Sequence, residues 1–248
     1  MTRTQRQIEE HRKGEACIEV RDSADRPCPG IPVWVEQETH AFVFGCVAPD
    51  VGMLPPIDRQ RCADRLQEVF NQILPADPSN DPAAGRVEVP NGVALGPFRV
   101  ELDRRASGGL LLDVHLQGQS LGLGTEGAGA AAERVAALYS LCFAHPAVRG
   151  VFWHGFWDGE PGVGTSGLLR LDFAPRPAFR YLQKLVGTIW HTRARGETDQ
   201  EGRFRFRGFL GDYRVAARDG EETRTALVAC RGTGGIAGVL TVASIGAH

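Results

Sequence analysis

One short segment of the chain gathers side chains that could hold a sugar. Trp153, Phe156 and Trp157 lie within five residues of one another, with His154 among them. Planar aromatic side chains at this density form surfaces on which sugar rings stack, and an imidazole can add a hydrogen bond. We therefore predict a substrate-binding surface here. The sequence leaves equally open the alternative that these aromatic residues fill the core.

Two acidic residues, Asp158 and Glu160, follow the aromatic segment directly. Beside a sugar-binding surface, Asp158 would contact the substrate and Glu160 could act as a general acid or base. The surrounding loop is rich in Gly and Pro, and acidic residues in such loops are often solvated turn residues. We take Glu160 as a candidate catalytic residue and Asp158 as a candidate binding residue.

Composition excludes several function classes. The 248 residues are 42% hydrophobic, enough for a substantial core. The 28 basic and 30 acidic residues are interspersed and give a net charge of -2, so neither nucleic acid nor a lipid surface is an expected partner. The six cysteines lack metal-ligand spacing and are expected as core thiols, so no metal and no cofactor is predicted. The expected partner is a carbohydrate or another small molecule, and the sequence indicates no oligomeric state.

The first residues bear on localisation. Residues 1–15 are polar and lack the apolar region of a signal peptide. No run approaches the roughly 18 apolar residues of a membrane span. The sequence as written therefore predicts a cytoplasmic protein, or a secreted one if a signal peptide has been removed.

Alternating strand patterns occupy both ends of the chain. Ile18 and Val20 alternate with polar neighbours, and near the other end phenylalanines alternate with arginines. A sheet built from one end alone would leave unstable edges. We therefore predict that residues 1–45 and 191–248 pair into one β-sandwich of transthyretin-like or immunoglobulin-like type.

The middle of the chain, residues 46–190, is then an insertion in the sandwich. Asn-Gly and Gly-Gly turns between apolar segments predict two β-hairpins over residues 86–117. His115, on the second hairpin, is either a surface residue or one that lines a pocket. Apolar spacing predicts further elements, namely helices over 57–73, 130–143 and 177–189 and a buried strand over 148–153.

Residues 139–159 (YSLCFAHPAVRGVFWHGFWDG) and 167–186 (GLLRLDFAPRPAFRYLQKLV) form a helix, strand and helix series. This series resembles the last barrel strand and closing helix of glycoside hydrolase family 10, the endo-xylanase family. Residues 26–45 and 198–215 are similar to strands that frame the barrel in a subgroup of that family. The resemblance implies descent from enzymes that act on plant β-1,4-linked polysaccharides, with the aromatic segment at the sugar-binding mouth.

The chain departs from that family in size and in its carboxylates. A complete (β/α)₈ barrel needs about 250 residues, so residues 46–190 can form only a barrel remnant, and the expected fold is β-rich α+β. The resemblance implies an Asn-Glu acid/base and a Thr-Glu nucleophile; the chain has no Asn-Glu and a single Thr-Glu, at Thr125 and Glu126. Glu126 therefore joins Glu160 as a candidate catalytic residue. Because retaining hydrolysis needs two carboxyl groups about 5–5.5 Å apart, catalysis is expected to be weak or lost.

Three functions follow from these patterns. The first is a family 10-related protein that binds xylan-like polysaccharide or cleaves it weakly. The second is a non-hydrolytic scaffold with an aromatic pocket for a non-sugar ligand, for example in specialised metabolism. The third is an inactive partial gene product, which would be marginally stable.

Overall fold

A computed structural model of the protein describes residues 1–52, 54–75, 101–103, 112–124, 127–231 and 236–241. These residues form a mixed α+β fold with three β-sheets, none of which closes into a barrel. The predicted α+β class is confirmed.

The chain divides into two compact units. Unit 1 comprises Met1–His11 and Val43–Ile189, and unit 2 comprises Arg12–Phe42 and Trp190–His248. The α-helices of the described residues are α1 (Arg3–Arg12), α2 (Pro56–Gln67), α3 (Ala128–Ala144) and α4 (Pro177–Lys184).

Unit 2 contains one sheet of three strands and one of four. Along two of these strands, Pro32–His40 and Gly211–Asp219, residues alternate between a buried and a solvent-facing side, as expected for half-buried strands. The buried sides of both sheets contribute to one hydrophobic cluster, which includes Ile18, Val35, Phe206 and Val215. The three-stranded sheet has the order β12 (Ile236–Thr241), β1 (Lys13–Arg21), β9 (Arg203–Phe209); the four-stranded sheet has the order β11 (Glu222–Cys230), β10 (Gly211–Asp219), β2 (Pro32–His40), β8 (Arg193–Glu197).

A buried tyrosine links two of these strands. The hydroxyl of Tyr213, near the start of β10, donates a hydrogen bond to the carbonyl oxygen of Phe209 at the end of β9. Burial raises the pKa of Tyr213 to about 12, so the hydroxyl keeps its proton. The chain therefore turns from β9 into β10 around a satisfied polar group inside the core.

Unit 1 is built around a five-stranded sheet in which four strands run parallel. Helix α2 connects β3 (Val43–Val47) to β4 (Gln72–Leu74), and helix α3 connects β6 (Leu112–Gln117) to β7 (Val148–His154), as parallel neighbours require. The ring of Phe44 on β3 contacts Phe143 on α3 with centroids 5.6 Å apart, so α3 covers one face of the sheet. The order is β4 (Gln72–Leu74), β3 (Val43–Val47), β7 (Val148–His154), β6 (Leu112–Gln117), β5 (Glu101–Asp103).

The prediction that residues 1–45 all pair with the C-terminal strands is wrong for residues 43–45, which lie in β3. This strand pairs in parallel with β7, in the register Phe44 to Val151 and Cys46 to Trp153. The pairing leaves Phe44 and Cys46 without solvent exposure. Burial on β7 decides the sheet to which the strand belongs, and a strand pattern does not contain that information.

The predicted helix over residues 57–73 is too long. Helix α2 ends at Gln67, and Ile73 lies in β4, where it pairs with Cys46 of β3. Val69 and Phe70 are buried even so, at 3% and 6% exposure. The apolar residues after α2 are therefore not part of a helical face. Val69 and Phe70 are buried in the turn that follows the helix, and Ile73 lies in the edge strand β4.

The predicted hairpins over residues 86–117 lie largely outside the described residues. In the described part, β5 pairs antiparallel with β6, and Glu101 is opposite His115. Strand β6 then continues the sheet by pairing in parallel with β7.

Candidate functional site

The candidate site lies at the carboxyl edge of the unit 1 sheet, which we define by the ends of its parallel strands β3, β6 and β7 at Val47, Gln117 and His154. In open sheets with parallel strands, ligands bind where the loops that follow the carboxyl ends of the strands meet. The segment that carries most of the predicted site residues, 153–160, runs from the end of β7 into one of these loops.

Trp153 and Phe156 are core residues. Both are without solvent exposure. The ring of Phe156 makes edge contacts with Phe70 and Phe179, with centroids 5.8 Å and 6.1 Å apart. Neither side chain presents an open face to a sugar ring, so the core-filling alternative describes these two predicted binding residues.

Trp157 is also covered. It is 9% exposed, and its ring stacks on Phe173 with a centroid distance of 5.1 Å and an interplanar angle of 8°. Its indole nitrogen Nε1 donates a hydrogen bond to the carbonyl oxygen of Leu171 at 3.2 Å. The indole thus anchors the loop that follows β7 to the segment before α4.

Asp158 holds the same loop through its carboxylate. Its Oδ2 pairs with Arg176 Nη2 at 2.5 Å, and its Oδ1 accepts a hydrogen bond from the backbone N–H of Gly167 at 2.9 Å. The two charged side chains are 6% and 16% exposed. Both carboxylate oxygens are therefore bound by groups of the protein itself. Asp158 thus stabilises the loop that follows β7.

Glu160 is the candidate carboxyl group whose surroundings favour a role as a proton donor. It is half-buried, and its Oε1 accepts a hydrogen bond from the backbone N–H of Trp157 at 2.7 Å. Burial raises its pKa; the N–H groups of Trp157 and Phe156 lower the pKa, and the charge of Asp50 raises it. Glu160 thus retains its proton to higher pH than an ordinary glutamate, as a proton donor must.

Asp50 is a carboxylate that the sequence reasoning missed. It is exposed, follows β3 by three residues, and accepts a hydrogen bond from the N–H of Gly52 at 3.2 Å. The charge of Asp50 contributes to the raised pKa of Glu160, after the larger effect of burial. An acidic residue directly after a buried strand was the available signal. Glu126, the other predicted catalytic residue, lies outside the described residues.

His154, at the end of β7, is hydrogen-bonded to a second histidine. Its Nε2 lies 2.7 Å from Nδ1 of His115 on β6, so one of these ring nitrogens donates the hydrogen bond and the other accepts it. The ring of His115 also stacks on Phe152, with centroids 5.4 Å apart. The two histidines are 39 positions apart in sequence, and only the pairing of β6 with β7 brings them together.

Burial and the neighbouring His115 lower the pKa of His154 to about 4. The neutral ring is therefore favoured in the folded protein, whereas the unfolded chain takes up a proton near pH 6.5. The free energy of unfolding is therefore unaffected by His154 above about pH 6.5. It decreases as the pH falls toward 4, because the unfolded chain binds a proton that the folded protein does not. Allowing for the partial exposure of the ring, we expect a loss of about 2 kcal/mol.

This loss can be measured by urea unfolding, followed by circular dichroism, at pH 7.0, 5.5 and 4.5. The variant H154Q cannot titrate and should show a smaller decrease than the wild type over the same range. A control variant, H11Q, alters a histidine in α1 and should keep the wild-type dependence. An unchanged dependence in H154Q would contradict the lowered pKa of His154.

The described residues contain no group of three or more His, Cys, Asp or Glu side chains that could hold a metal ion. All six cysteines are free, and five of them are buried. No helix among the described residues is both long and apolar enough to cross a membrane.

Two known proteins are similar to parts of the chain. A stretch of 85 residues, 34% of this chain, is 36% identical to the anti-sigma-I factor RsgI6 of Acetivibrio thermocellus and covers 11% of that protein. A stretch of 74 residues, 29% of this chain, is 38% identical to endo-1,4-beta-xylanase 1 of Arabidopsis thaliana and covers 8% of that enzyme. No protein-family model matches the chain. The chain thus spans about a tenth of the length of each relative, and its similarity to a plant xylanase is partial.

Proposed function

We propose that this chain is a xylanase-related protein that binds β-1,4-linked polysaccharide at the carboxyl edge of unit 1, with weak cleavage at most. The observation that carries the proposal is Glu160, a half-buried carboxyl group with a raised pKa at this edge. The partial similarity to a plant endo-1,4-beta-xylanase supports the choice of substrate class.

The proposed chemistry assigns different roles to two carboxyl groups. Glycoside hydrolysis needs one group to protonate the leaving oxygen and a second to attack the sugar or activate water. Glu160 suits the first role because burial favours its protonated form. Asp50 is the candidate for the second because it is exposed and follows β3 at the same carboxyl edge.

Weak cleavage follows from how Glu160 is held. Its Oε1 accepts a hydrogen bond from the N–H of Trp157, and the N–H groups of Trp157 and Phe156 both favour its charged form, which opposes proton donation. The neighbouring Asp158 cannot replace it, because its carboxylate is paired with Arg176. Among the described candidate carboxyl groups, Glu160 is therefore the proposed proton donor.

The second candidate function is a non-hydrolytic scaffold with a non-sugar ligand. It is favoured by the burial of Trp153 and Phe156, which removes two of the predicted stacking surfaces for a sugar. Binding of xylan would decide against it.

The finer architecture is part of the same proposal. We infer that unit 2 is a β-sandwich, since its two sheets share one hydrophobic cluster and Tyr213 bonds back to Phe209 as a tyrosine corner does. We infer that unit 1 is a remnant of a (β/α)₈ barrel, since β3, α2 and β4 and then β6, α3 and β7 are successive parallel βαβ connections. This combination agrees with descent from a framed family 10 barrel.

The test is reducing-end release from xylan and mixed-linkage glucan, compared between wild type, E160Q and E133Q. We expect slow release by the wild type and at least a 100-fold lower rate for E160Q, because the variant cannot donate a proton. Glu133 is exposed on α3, so E133Q should stay within twofold of wild type. The wild-type rate should fall as the pH rises through the raised pKa of Glu160.

Binding is measured on the same polysaccharides by affinity electrophoresis. Equal rates for E160Q and wild type would remove Glu160 as the proton donor. The absence of both binding and reducing ends would remove the proposed function.

A further inference from the structure

The open face of the four-stranded sheet in unit 2 carries an exposed tryptophan. Trp34, on β2, is 44% exposed, whereas Trp153, Trp157 and Trp190 are 0%, 9% and 4% exposed. Since Val33 and Val35 on either side point into the core, the indole of Trp34 must point outward. Of the four tryptophans in the chain, Trp34 is therefore the one whose ring is open to a ligand.

The residues beside Trp34 in the sheet leave its ring accessible. The register places Arg195 of β8 opposite it on one side and Ala216 of β10 on the other, with Thr225 of β11 beyond Ala216. Directly opposed residues share a face of the sheet. The methyl group of Ala216 is too small to cover an indole, and Arg195 is exposed. A flat strip therefore runs across the strands from Arg195 through Trp34 to Thr225.

Most of the described charged side chains on and beside this face form ion pairs, and Arg195 beside Trp34 is not among them. Arginines on and beside it are matched with carboxylates, as Arg193 with Glu36, Arg214 with Glu38, and Arg231 with Asp212. A face with paired charges attracts neither a polyanion nor a strongly charged protein. Because most of its charges are paired, the face suits a neutral ligand, to which the exposed Arg195 can donate hydrogen bonds.

The apolar part of the face is small. Leu227 on β11 is the other large exposed apolar side chain of this sheet, and it lies opposite Arg214 rather than beside Trp34. A protein interface is expected to have a contiguous apolar centre around its aromatic anchor. A single open indole flanked by hydrogen-bonding groups instead matches a sugar ring, which has apolar C–H faces and a rim of hydroxyls.

We propose that this face of unit 2 binds a neutral polysaccharide chain, with Trp34 stacked on one sugar ring and Arg195 donating hydrogen bonds to its hydroxyls. The inference takes the class of polysaccharide from the proposed function. It adds a second binding surface, separate from the carboxyl edge of unit 1, that would hold the polymer without cleaving it.

The test compares binding of wild type, W34A, W34F and L227A to insoluble xylan by sedimentation, with soluble xylan in affinity electrophoresis as a second measurement. We expect W34A to weaken binding at least fivefold, W34F to retain an intermediate affinity, and L227A to remain within twofold of wild type. Circular dichroism establishes that each variant is folded. The reducing-end rate of W34A on short soluble oligosaccharides should equal that of the wild type.

The outcomes separate this inference from the proposed function. Unchanged xylan binding by W34A would overturn the inference, and it would leave the proposed function standing if E160Q still lowers cleavage. Loss of binding in W34A, with no effect of E160Q on cleavage, would support the inference and contradict Glu160 as proton donor. Wild type that binds no neutral polysaccharide would overturn the inference. Self-association that W34A abolishes, measured by size-exclusion chromatography without polysaccharide, would identify a protein interface and overturn it as well.

Discussion

Replacement of Trp153 by alanine is expected to destabilise the protein by about 4 kcal/mol. The side chain is without solvent exposure on the central strand of the unit 1 sheet. It lies between Cys46 of β3 and Leu116 of β6 in register, and its Nε1 donates a hydrogen bond to the carbonyl oxygen of Gly155 at 3.0 Å. Alanine would remove these contacts and leave a cavity that the close-packed surroundings cannot fill.

The matched control is W34A, which removes the same side chain from the open face of unit 2. Because Trp34 is 44% exposed, we expect a loss of no more than about 1 kcal/mol. Urea unfolding followed by far-ultraviolet circular dichroism measures both variants without relying on tryptophan emission. Equal, small losses for both variants would show that Trp153 is not a core residue and would restore it as a stacking surface.

The variant D158N is expected to cost about 3 kcal/mol, because it removes one partner of a largely buried ion pair and leaves Arg176 without its counter-charge. Asparagine keeps the size of the side chain and an oxygen that can accept from the N–H of Gly167. The expected loss therefore reports the charge interaction rather than packing. It should appear in urea unfolding at pH 7.

Two further variants test this interpretation. D58N breaks the exposed pair of Asp58 with Arg61 on α2 and should cost about 0.5 kcal/mol or less. The double variant D158N/R176Q should lose less stability than the sum of its single variants, because the unpaired cation is gone. Additive losses would mean that Asp158 and Arg176 act independently. A small effect of D158N alone would return Asp158 to the set of substrate-binding candidates.

These two predictions test whether residues 153–160 bind a ligand or stabilise the fold. The burial of Trp153 and the ion pair of Asp158 indicate that these two residues stabilise the fold. Glu160, two residues beyond Asp158, is then held in place at the carboxyl edge by the loop that these residues stabilise. Within the segment, Glu160 is thus the candidate for the chemistry, and burial together with the charge of Asp50 raises its pKa.

Local patterns in the sequence were sufficient for most elements. The Ala-rich apolar stripe predicts a helix over 130–143, and α3 spans Ala128–Ala144. Alternation of phenylalanine with arginine predicts the strand that becomes β9. Such patterns work because the side-chain periods of 3.6 and 2 are properties of a single element and its one buried side. The end of α2 was misplaced because Val69 and Phe70 are buried by the fold and not by a helical face.

The sequence by itself determined the α+β class, the position of α3 and the presence of carboxyl and aromatic side chains in residues 153–160. Only the tertiary structure decided that Trp153 and Phe156 are core residues, that His154 is bonded to His115, and that Trp34 is the open indole. The physical reason is that periodicity records which side of an element is apolar, whereas the partner that covers that side comes from distant parts of the chain. Residues 153–160 are adjacent in sequence, but they differ in burial. The rings of Trp153 and Phe156 lie in the core, whereas Glu160 is half-buried at the carboxyl edge of the sheet.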